Sequence, residues 1–112
     1  MSDYEPSKHI LKVAAEGRLW ECKGLPELVR AANEAGISVK IDLGDGDSQW
    51  ETVTADSVVM AVNEVDEANL SFHNPEKNSY GGMLVIPSNG DDWCCDYHAA
   101  GWLQRLVEEH TP

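Results

Sequence analysis

Residues 37–43 alternate strictly between apolar and polar side chains. A period of two is typical of a β-strand that buries one face and exposes the other. The tetrapeptide Gly-Asp-Gly-Asp follows at 44–47, and an Asp-Gly pair suits the tight turn of a hairpin. The pattern therefore predicts an antiparallel hairpin over 37–53, with its return strand at 49–53.

Three more segments have the composition of strands and are separated by turn-forming residues. Residues 68–73 form the first, 82–86 are a compact apolar run, and 93–97 follow a second turn. The intervening segments are rich in Pro, Asn, Ser and Gly, which turns favour. These patterns predict an antiparallel meander over 68–97.

Four segments carry apolar residues at helical spacing: 6–16, 25–35, 55–65 and 101–109. Gly17 and Gly36 are positioned to end the first two, and Pro26 stands in a first turn, where its missing N–H is harmless. The third segment is rich in valine, which lowers helix propensity, but its spacing favours a helix. A short alternating segment at 19–22 predicts one further strand.

The order of these elements predicts the α+β class. We expect one domain over residues 1–112, because 112 residues is a common size for a single domain. Its core would be an antiparallel sheet of five or six strands with three or four helices packed on it.

The negative charge is concentrated in the last two-thirds of the chain. Nine carboxylates and no Lys or Arg lie between Lys40 and Lys77, and residues 41–112 hold 14 acids against two bases. Residues 1–40 are neutral, so the formal net charge of −12 belongs to the remainder. Such a field repels nucleic acid and anionic lipid and attracts basic proteins. We therefore expect a basic protein partner and no direct binding to nucleic acid or membrane.

The sequence has neither the length of apolar segment that spans a membrane nor the organisation of a secretion signal. Its longest apolar run is 58–62, and its polar, acidic N-terminus lacks a basic region followed by an apolar stretch. Cys22, Cys94 and Cys95 make an odd count with an adjacent pair, a poor basis for disulfides. We expect a cytoplasmic protein with reduced thiols.

Two clusters contain metal-ligand residue types without a complete ligand set. The segment 45–56 resembles the start of a calcium loop, but Trp50 and Asp56 stand where an EF-hand requires Gly and Glu. The second cluster consists of Cys94, Cys95, Asp96 and His98. No further pair of ligands completes a tetrahedral site, and the adjacent residues Cys94 and Cys95 would point to opposite faces of a strand. No metal or cofactor is predicted.

The chain shows no catalytic motif. His73 or His98 could serve a cysteine nucleophile, but the acidic surroundings would raise the pKa of a thiol. With 20 acids in the chain, close carboxylate pairs arise by chance, so acid–base catalysis has no specific support. We expect a protein that is not an enzyme.

From Thr54 onward the chain resembles small acidic bacterial immunity proteins, which neutralise toxins, and phage-encoded inhibitors. The resemblance is carried by the helix TADSVVMAVNEVDEA, the strands LSFHNP and GGMLVIPSNG, and the short helix after CDYH. It covers residues 54–109 and rests on structural rather than catalytic motifs. The resemblance implies an inhibitor of a basic, often nucleic-acid-directed protein.

These observations lead to the hypothesis of a small acidic inhibitor that masks the basic surface of a partner protein. Electrostatic attraction would speed the encounter, and aromatic anchors would slow dissociation. One alternative is a small-molecule binder or hydrolase with its site near Asp96 and His98, and another is a structural or assembly subunit that pairs through its edge strands. The predicted partner contacts are Asp45, Asp47, Trp50, Glu51, Asp91, Asp92 and Trp93.

Overall fold

The computed structural model describes residues 4–42, 50–98 and 101–110. The helices are α1 (Lys8–Ala15), α2 (Leu25–Glu34), α3 (Val58–Asn63) and α4 (Gly101–His110), with a 3₁₀ helix at Pro87–Asp92. The strands are β1 (Ser38–Asp42), β2 (Trp50–Thr52), β3 (Ala68–Asn74), β4 (Ser79–Val85) and β5 (Cys94–His98). No helix in the described ranges combines the length and apolar character that a membrane crossing demands.

The five strands form one antiparallel sheet in the order β2-β1-β3-β4-β5. β1 pairs with β2 on one side and with β3 on the other, and β3, β4 and β5 follow one another as a meander. The α+β class and the antiparallel pairings predicted over 37–53 and 68–97 are therefore confirmed. The predicted turn at 44–47 lies outside the described residues.

The two faces of the sheet differ in character because alternate residues of β1, β3 and β4 are buried. The buried set faces the helices, and the core lies between these two layers. Each large apolar side chain buried there stabilises the fold by about 1.5–3 kcal/mol. The sheet contributes Val39, Ile41, Leu70, Phe72, Met83 and Val85, and the helices contribute Ile10, Leu25, Leu28, Val29, Val58, Val62, Leu103 and Val107.

The ends of the first two helices agree with the sequence prediction. Ser7 caps α1, since its Oγ accepts a hydrogen bond from the Ile10 N–H at 3.1 Å. Gly17 and Gly36 follow α1 and α2 with φ of +70° and +81°, a left-handed conformation that suits glycine. Leu11, one of the apolar residues at helical spacing in the predicted helix 6–16, does not join the core, because 49% of its surface is exposed.

The third helix is shorter than the predicted 55–65, since α3 spans only Val58–Asn63. The Ser57 Oγ accepts a hydrogen bond from the Thr54 N–H at 2.9 Å, which holds the chain in a turn before the helix. β-Branched residues lose side-chain freedom in a helix, which is consistent with its short length. Val65 lies beyond the helix end and still packs against the core.

The segment 19–22 is not a strand, so that prediction was wrong. Its backbone is held instead by the side chain of Asn63. The Trp20 N–H donates to Asn63 Oδ1 at 2.8 Å, and the Trp20 carbonyl accepts from Asn63 Nδ2 at 3.0 Å. One amide side chain thus satisfies both backbone groups of Trp20, as a neighbouring strand would. Cys22 then adopts a φ of +49°, which ends the extended run.

Glu64 ties the N-terminal segment to the end of α3. The Tyr4 hydroxyl donates to Glu64 Oε2 at 2.8 Å, and the Ser7 hydroxyl donates to Glu64 Oε1. Burial, followed by the hydrogen bond to Glu64, raises the pKa of Tyr4 above its ordinary value. The Tyr4 N–H also donates to the Thr52 carbonyl at 2.9 Å, which partly covers the outer edge of β2. Glu64, one of the nine carboxylates between Lys40 and Lys77, therefore has a structural role.

Helix α4 packs directly over Gly81 of β4. A Cβ at this position would overlap Leu103 Cδ2 and lie 3.2 Å from the His98 carbonyl oxygen. Leu103 is fully buried, so its side chain has little room to move away. The next residue, Gly82, points to the opposite face of the sheet, where a Cβ would meet the Leu70 carbonyl oxygen at an ordinary 3.8 Å.

Gly81→Ala and Gly82→Ala form a matched pair that tests this packing. We expect G81A to lower the free energy of unfolding by about 1–3 kcal/mol, the usual effect of overpacking a core. G82A should change it by less than about 0.5 kcal/mol, or raise it slightly, because glycine weakens a strand interior. Urea denaturation of both variants measures the difference. Equal effects would contradict the placement of α4 over Gly81.

Candidate functional site

The face of the sheet opposite the core is covered by none of the described helices. We call it the open face, and no described side chain on it is fully buried. The strand register arranges its residues in three rows that cross the strands, because directly paired residues share a face. The rows are Trp50, Asp42, Asn69, Leu84 and Asp96; then Thr52, Lys40, Ser71, Gly82 and His98; then Ser38, His73 and Tyr80.

Two grooves lie on the open face. The larger has a volume of about 440 Å³ and passes over Gly82, with Asp96 and His98 on one side and Trp50 on the other. The smaller has a volume of about 240 Å³ and is bordered by Lys40 and Tyr80. Trp50 also lines the smaller groove, so its ring stands where the two grooves meet.

Aromatic rings are exposed on this face as well. Tyr80 is 66% exposed, and its ring stacks on that of His73, with centroids 4.3 Å apart and planes inclined by 16°. Trp50 is 38% exposed. Exposed, ordered aromatic rings are enriched at the centres of protein interfaces because they offer a large contact area. The open face therefore combines polar grooves with two aromatic contact points.

Six of the 17 carboxylates in the described residues lie at one end of the sheet. β1 ends there, β3 begins there, and the 3₁₀ helix between β4 and β5 lies there, so acids from separate segments converge. Lys23 also lies at this end of the sheet, since its carbonyl accepts a hydrogen bond from Trp93 Nε1 at 2.8 Å, and it adds one positive charge there. We call this region the acidic end. It comprises Asp42, Asp66, Glu67, Asp91, Asp92 and Asp96.

The predicted partner contacts are not all brought together. Asp91 and Asp92 are exposed at the acidic end, and Trp50 is exposed on the open face near that end. Asp45 and Asp47 lie outside the described residues, so their predicted role is untested.

Glu51 does not share a surface with Trp50. It is paired with Ile41 in the register, whereas Trp50 is paired with Asp42. Successive strand residues point to opposite faces, so the Glu51 side chain lies on the helix side of the sheet. Its charge contributes to the raised pKa of Tyr4, after burial and Glu64. These two predicted contacts therefore lie on opposite faces of β2.

Trp93 has a packing role instead of the contact role expected for it. Its side chain is 0% exposed, and its Nε1 donates to the Lys23 carbonyl at 2.8 Å. A ring without exposed surface offers nothing to a partner, so Trp93 is removed from the predicted contacts. Trp20, which was not a predicted contact, is 53% exposed and lines a small cavity with Asp66 and Pro87, so it borders the acidic end.

The alternative site near Asp96 and His98 coincides with the larger groove. Both side chains lie on the open face of β5 and line that cavity. Among the described residues, no hydrogen bond joins His98 to Asp96 or to Ser71, and Asp96 Oδ1 accepts one from the Tyr97 N–H at 2.9 Å. The groove thus provides a cavity beside His98 without an assembled nucleophile–base pair.

The three cysteines differ in exposure, and none is joined in a disulfide. Cys22 is buried, Cys94 is half-buried, and Cys95 is exposed. Burial raises the pKa of Cys22 to about 11; burial, followed by the charges of Cys95 and Asp96, raises the pKa of Cys94 to about 11. These two thiols are therefore protonated and poorly nucleophilic at neutral pH. Within the described ranges, no three His, Cys, Asp or Glu side chains are grouped to hold a metal ion.

Comparisons of this chain with protein-family models, with curated proteins and with solved structures find no match. The case for a function therefore depends on the open face and the acidic end. The sequence reasoning missed the central residues of the open face, above all Ser71, Tyr80 and Gly82. The sequence signal that could have indicated them is the set of outward-facing residues in each alternating strand, where a glycine stands among larger side chains.

The raised thiol pKa values predict a loss of stability at alkaline pH. An unfolded thiol ionises near pH 8.5 and the buried ones near 11, so the unfolded state loses its protons first as the pH rises. The contribution of these two thiols to the free energy of unfolding should be fully present below about pH 8.5. It should decline as the pH rises toward 11, by on the order of 1–2 kcal/mol per thiol at pH 10.

Urea denaturation at pH 8 and pH 10 measures this decline for the native chain and for the double variant Cys22→Ala with Cys94→Ala. The double variant should lose clearly less stability between the two pH values. Cys95→Ala, at the exposed position, is the control and should retain most of the native pH dependence, because burial is the larger cause of the raised pKa of Cys94. Identical pH dependence in the native chain and the double variant would refute the assignment.

Proposed function

We propose that this protein is a non-enzymatic binding protein that masks a basic surface of a partner protein. The observation that carries the proposal is the gathering of six carboxylates at one end of the sheet, next to an open face with exposed aromatic rings. An immunity or anti-defence inhibitor, the class that residues 54–109 resemble, is the specific form that we favour. A basic partner of this kind would be one that itself acts on nucleic acid.

The charge arrangement supports this function through the kinetics of encounter. A formal net charge of −12 exceeds the magnitude of about 2–8 that suffices to keep a small domain soluble. Like charges held at one end repel one another and weaken the fold, so the arrangement brings no evident structural benefit. The local excess of negative charge at this end would orient a basic partner toward it and raise the association rate.

The open face supports the same function through contact area. Stable interfaces are centred on aromatic side chains and surrounded by a polar rim. Trp50 lies next to Asp42 in the register, so the aromatic contact point and the acidic end are continuous. A partner steered to the acidic end would therefore reach the open face without reorienting.

Small-molecule binding is a second candidate, because the groove beside His98 is a concave site with a few polar groups. Its ligand would bind with little dependence on salt unless it were itself cationic. Salt dependence therefore separates the two candidates.

The test begins with a pull-down at low salt from the native host, followed by binding kinetics against the purified partner. Two variants each remove two charges: Asp91→Asn with Asp92→Asn at the acidic end, and Glu34→Gln with Glu76→Gln at the opposite end of the sheet. All four carboxylates are exposed. The acidic-end variant should associate several-fold more slowly at low salt, with dissociation nearly unchanged, because peripheral charges act mainly on the association rate.

The control variant should associate at close to the native rate, and the difference between the variants should shrink at high salt, where charges are screened. Equal slowing of the two variants would show that net charge alone matters. A partner that binds without salt dependence would reject the proposed function and favour small-molecule or assembly roles.

A further inference from the structure

Gly82 lies in the middle of β4 although the fold does not require glycine there. Its φ is not in the left-handed region, and among the described atoms the nearest neighbour of an added Cβ is the Leu70 carbonyl oxygen, at 3.8 Å. Gly81 differs, since α4 leaves no space for a side chain at that position. A glycine inside a strand weakens it and often marks a place where a ligand or another chain approaches closely.

The missing side chain at Gly82 forms the floor of the larger groove. Ser71 on β3 and His98 on β5 are paired with Gly82 on either side, so their side chains stand about 5 Å from the empty position. Leu84 and Asp96 extend the groove toward the acidic end. The groove therefore passes over an empty position between two polar side chains, with the carboxylate of Asp96 on the side of the acidic end.

The lining groups favour a planar cation. Asp96 supplies a carboxylate, Ser71 and Asn69 supply neutral acceptor oxygens, and Trp50 supplies an exposed indole ring. A guanidinium group hydrogen-bonds to carboxylates through a planar fork and stacks on aromatic faces, which an ammonium group does less well. An anionic group would instead meet the field of a chain with net charge −12.

We propose that the groove over Gly82 receives an arginine side chain of the basic partner. This inference rests on the proposed function and specifies its central contact. The guanidinium would lie between Asp96 and Trp50, and its aliphatic stem would cross Gly82. The partner backbone would then run over the open face, with its remaining positive charges directed toward the acidic end.

The test uses a small probe that does not depend on finding the partner. An acetylated and amidated Gly-Arg-Gly peptide is titrated into the ¹⁵N-labelled protein, and chemical-shift changes are mapped. Changes should centre on the amides of Ser71, Gly82 and Asp96 and on the Trp50 indole N–H. The matched peptide with citrulline in place of arginine has the same shape without the charge, and it should bind about tenfold more weakly or not at all.

Gly82→Val is the matched protein variant, because it adds volume to the groove at a position where a Cβ meets its nearest described atom at an ordinary 3.8 Å. It should weaken binding of the arginine peptide by about tenfold while retaining the native spectrum elsewhere. Gly82→Ala should have a smaller effect in the same direction. Asp96→Asn should weaken the arginine peptide and leave the citrulline peptide unaffected.

Equal binding of the arginine and citrulline peptides, unchanged binding to Gly82→Val, or shifts confined to the helix side would each overturn the inference.

Binding measurements with the purified partner distinguish failure of this inference from failure of the proposed function. If the partner still depends on Asp91 and Asp92 but binds Gly82→Val normally, the groove inference fails and the masking function stands. If the peptide binds in the groove but the partner shows no salt dependence, the masking function fails.

Discussion

The structure depends on the burial of one face of a five-stranded sheet. Alternation along β1, β3 and β4 places Ile41, Phe72 and Val85 on the same side, where burial removes them from water. The helices must pack on that side, since their own apolar residues need the same core. The opposite side is consequently polar, and it carries the grooves and the exposed rings of Trp50 and Tyr80. The surface that we assign to recognition is thus a direct result of how the core is built.

Recognition by this surface would have two parts with different physical origins. In the proposed function, the acidic end would act at long range through its field, and the open face would act at contact through shape and stacking. Asp96 belongs to both, because it lies at the acidic end and lines the groove over Gly82. A rigid sheet suits such a role, since the positions of groove and carboxylates are set by strand register rather than by a loop.

Much of the fold could be predicted from the sequence because period-two alternation and turn residues are local signals. The strand at 19–22 was wrong because the pairing of Trp20 with the Asn63 side chain is a long-range contact that no local pattern reveals. Trp93 was misplaced for a similar reason: neighbouring acids suggested exposure, but the buried hydrogen bond to the Lys23 carbonyl shows a core position. The groove at Gly82 could not be predicted from the sequence, because it depends on the strand register that places Ser71 and His98 on either side of the glycine.

The most direct test of the account is hydroxyl-radical footprinting of the complex with the purified basic partner. Trp50 and Tyr80 report on the open face. The internal reference is Trp102 of α4, which is partly exposed and lies at the opposite end of the sheet from the acidic end, where its Nε1 donates to Ser79 Oγ at 3.2 Å. Oxidation of Trp50 and Tyr80 should fall several-fold on complex formation while oxidation of Trp102 stays the same. Protection of Trp102 with unchanged oxidation of Trp50 and Tyr80 would contradict recognition through the open face.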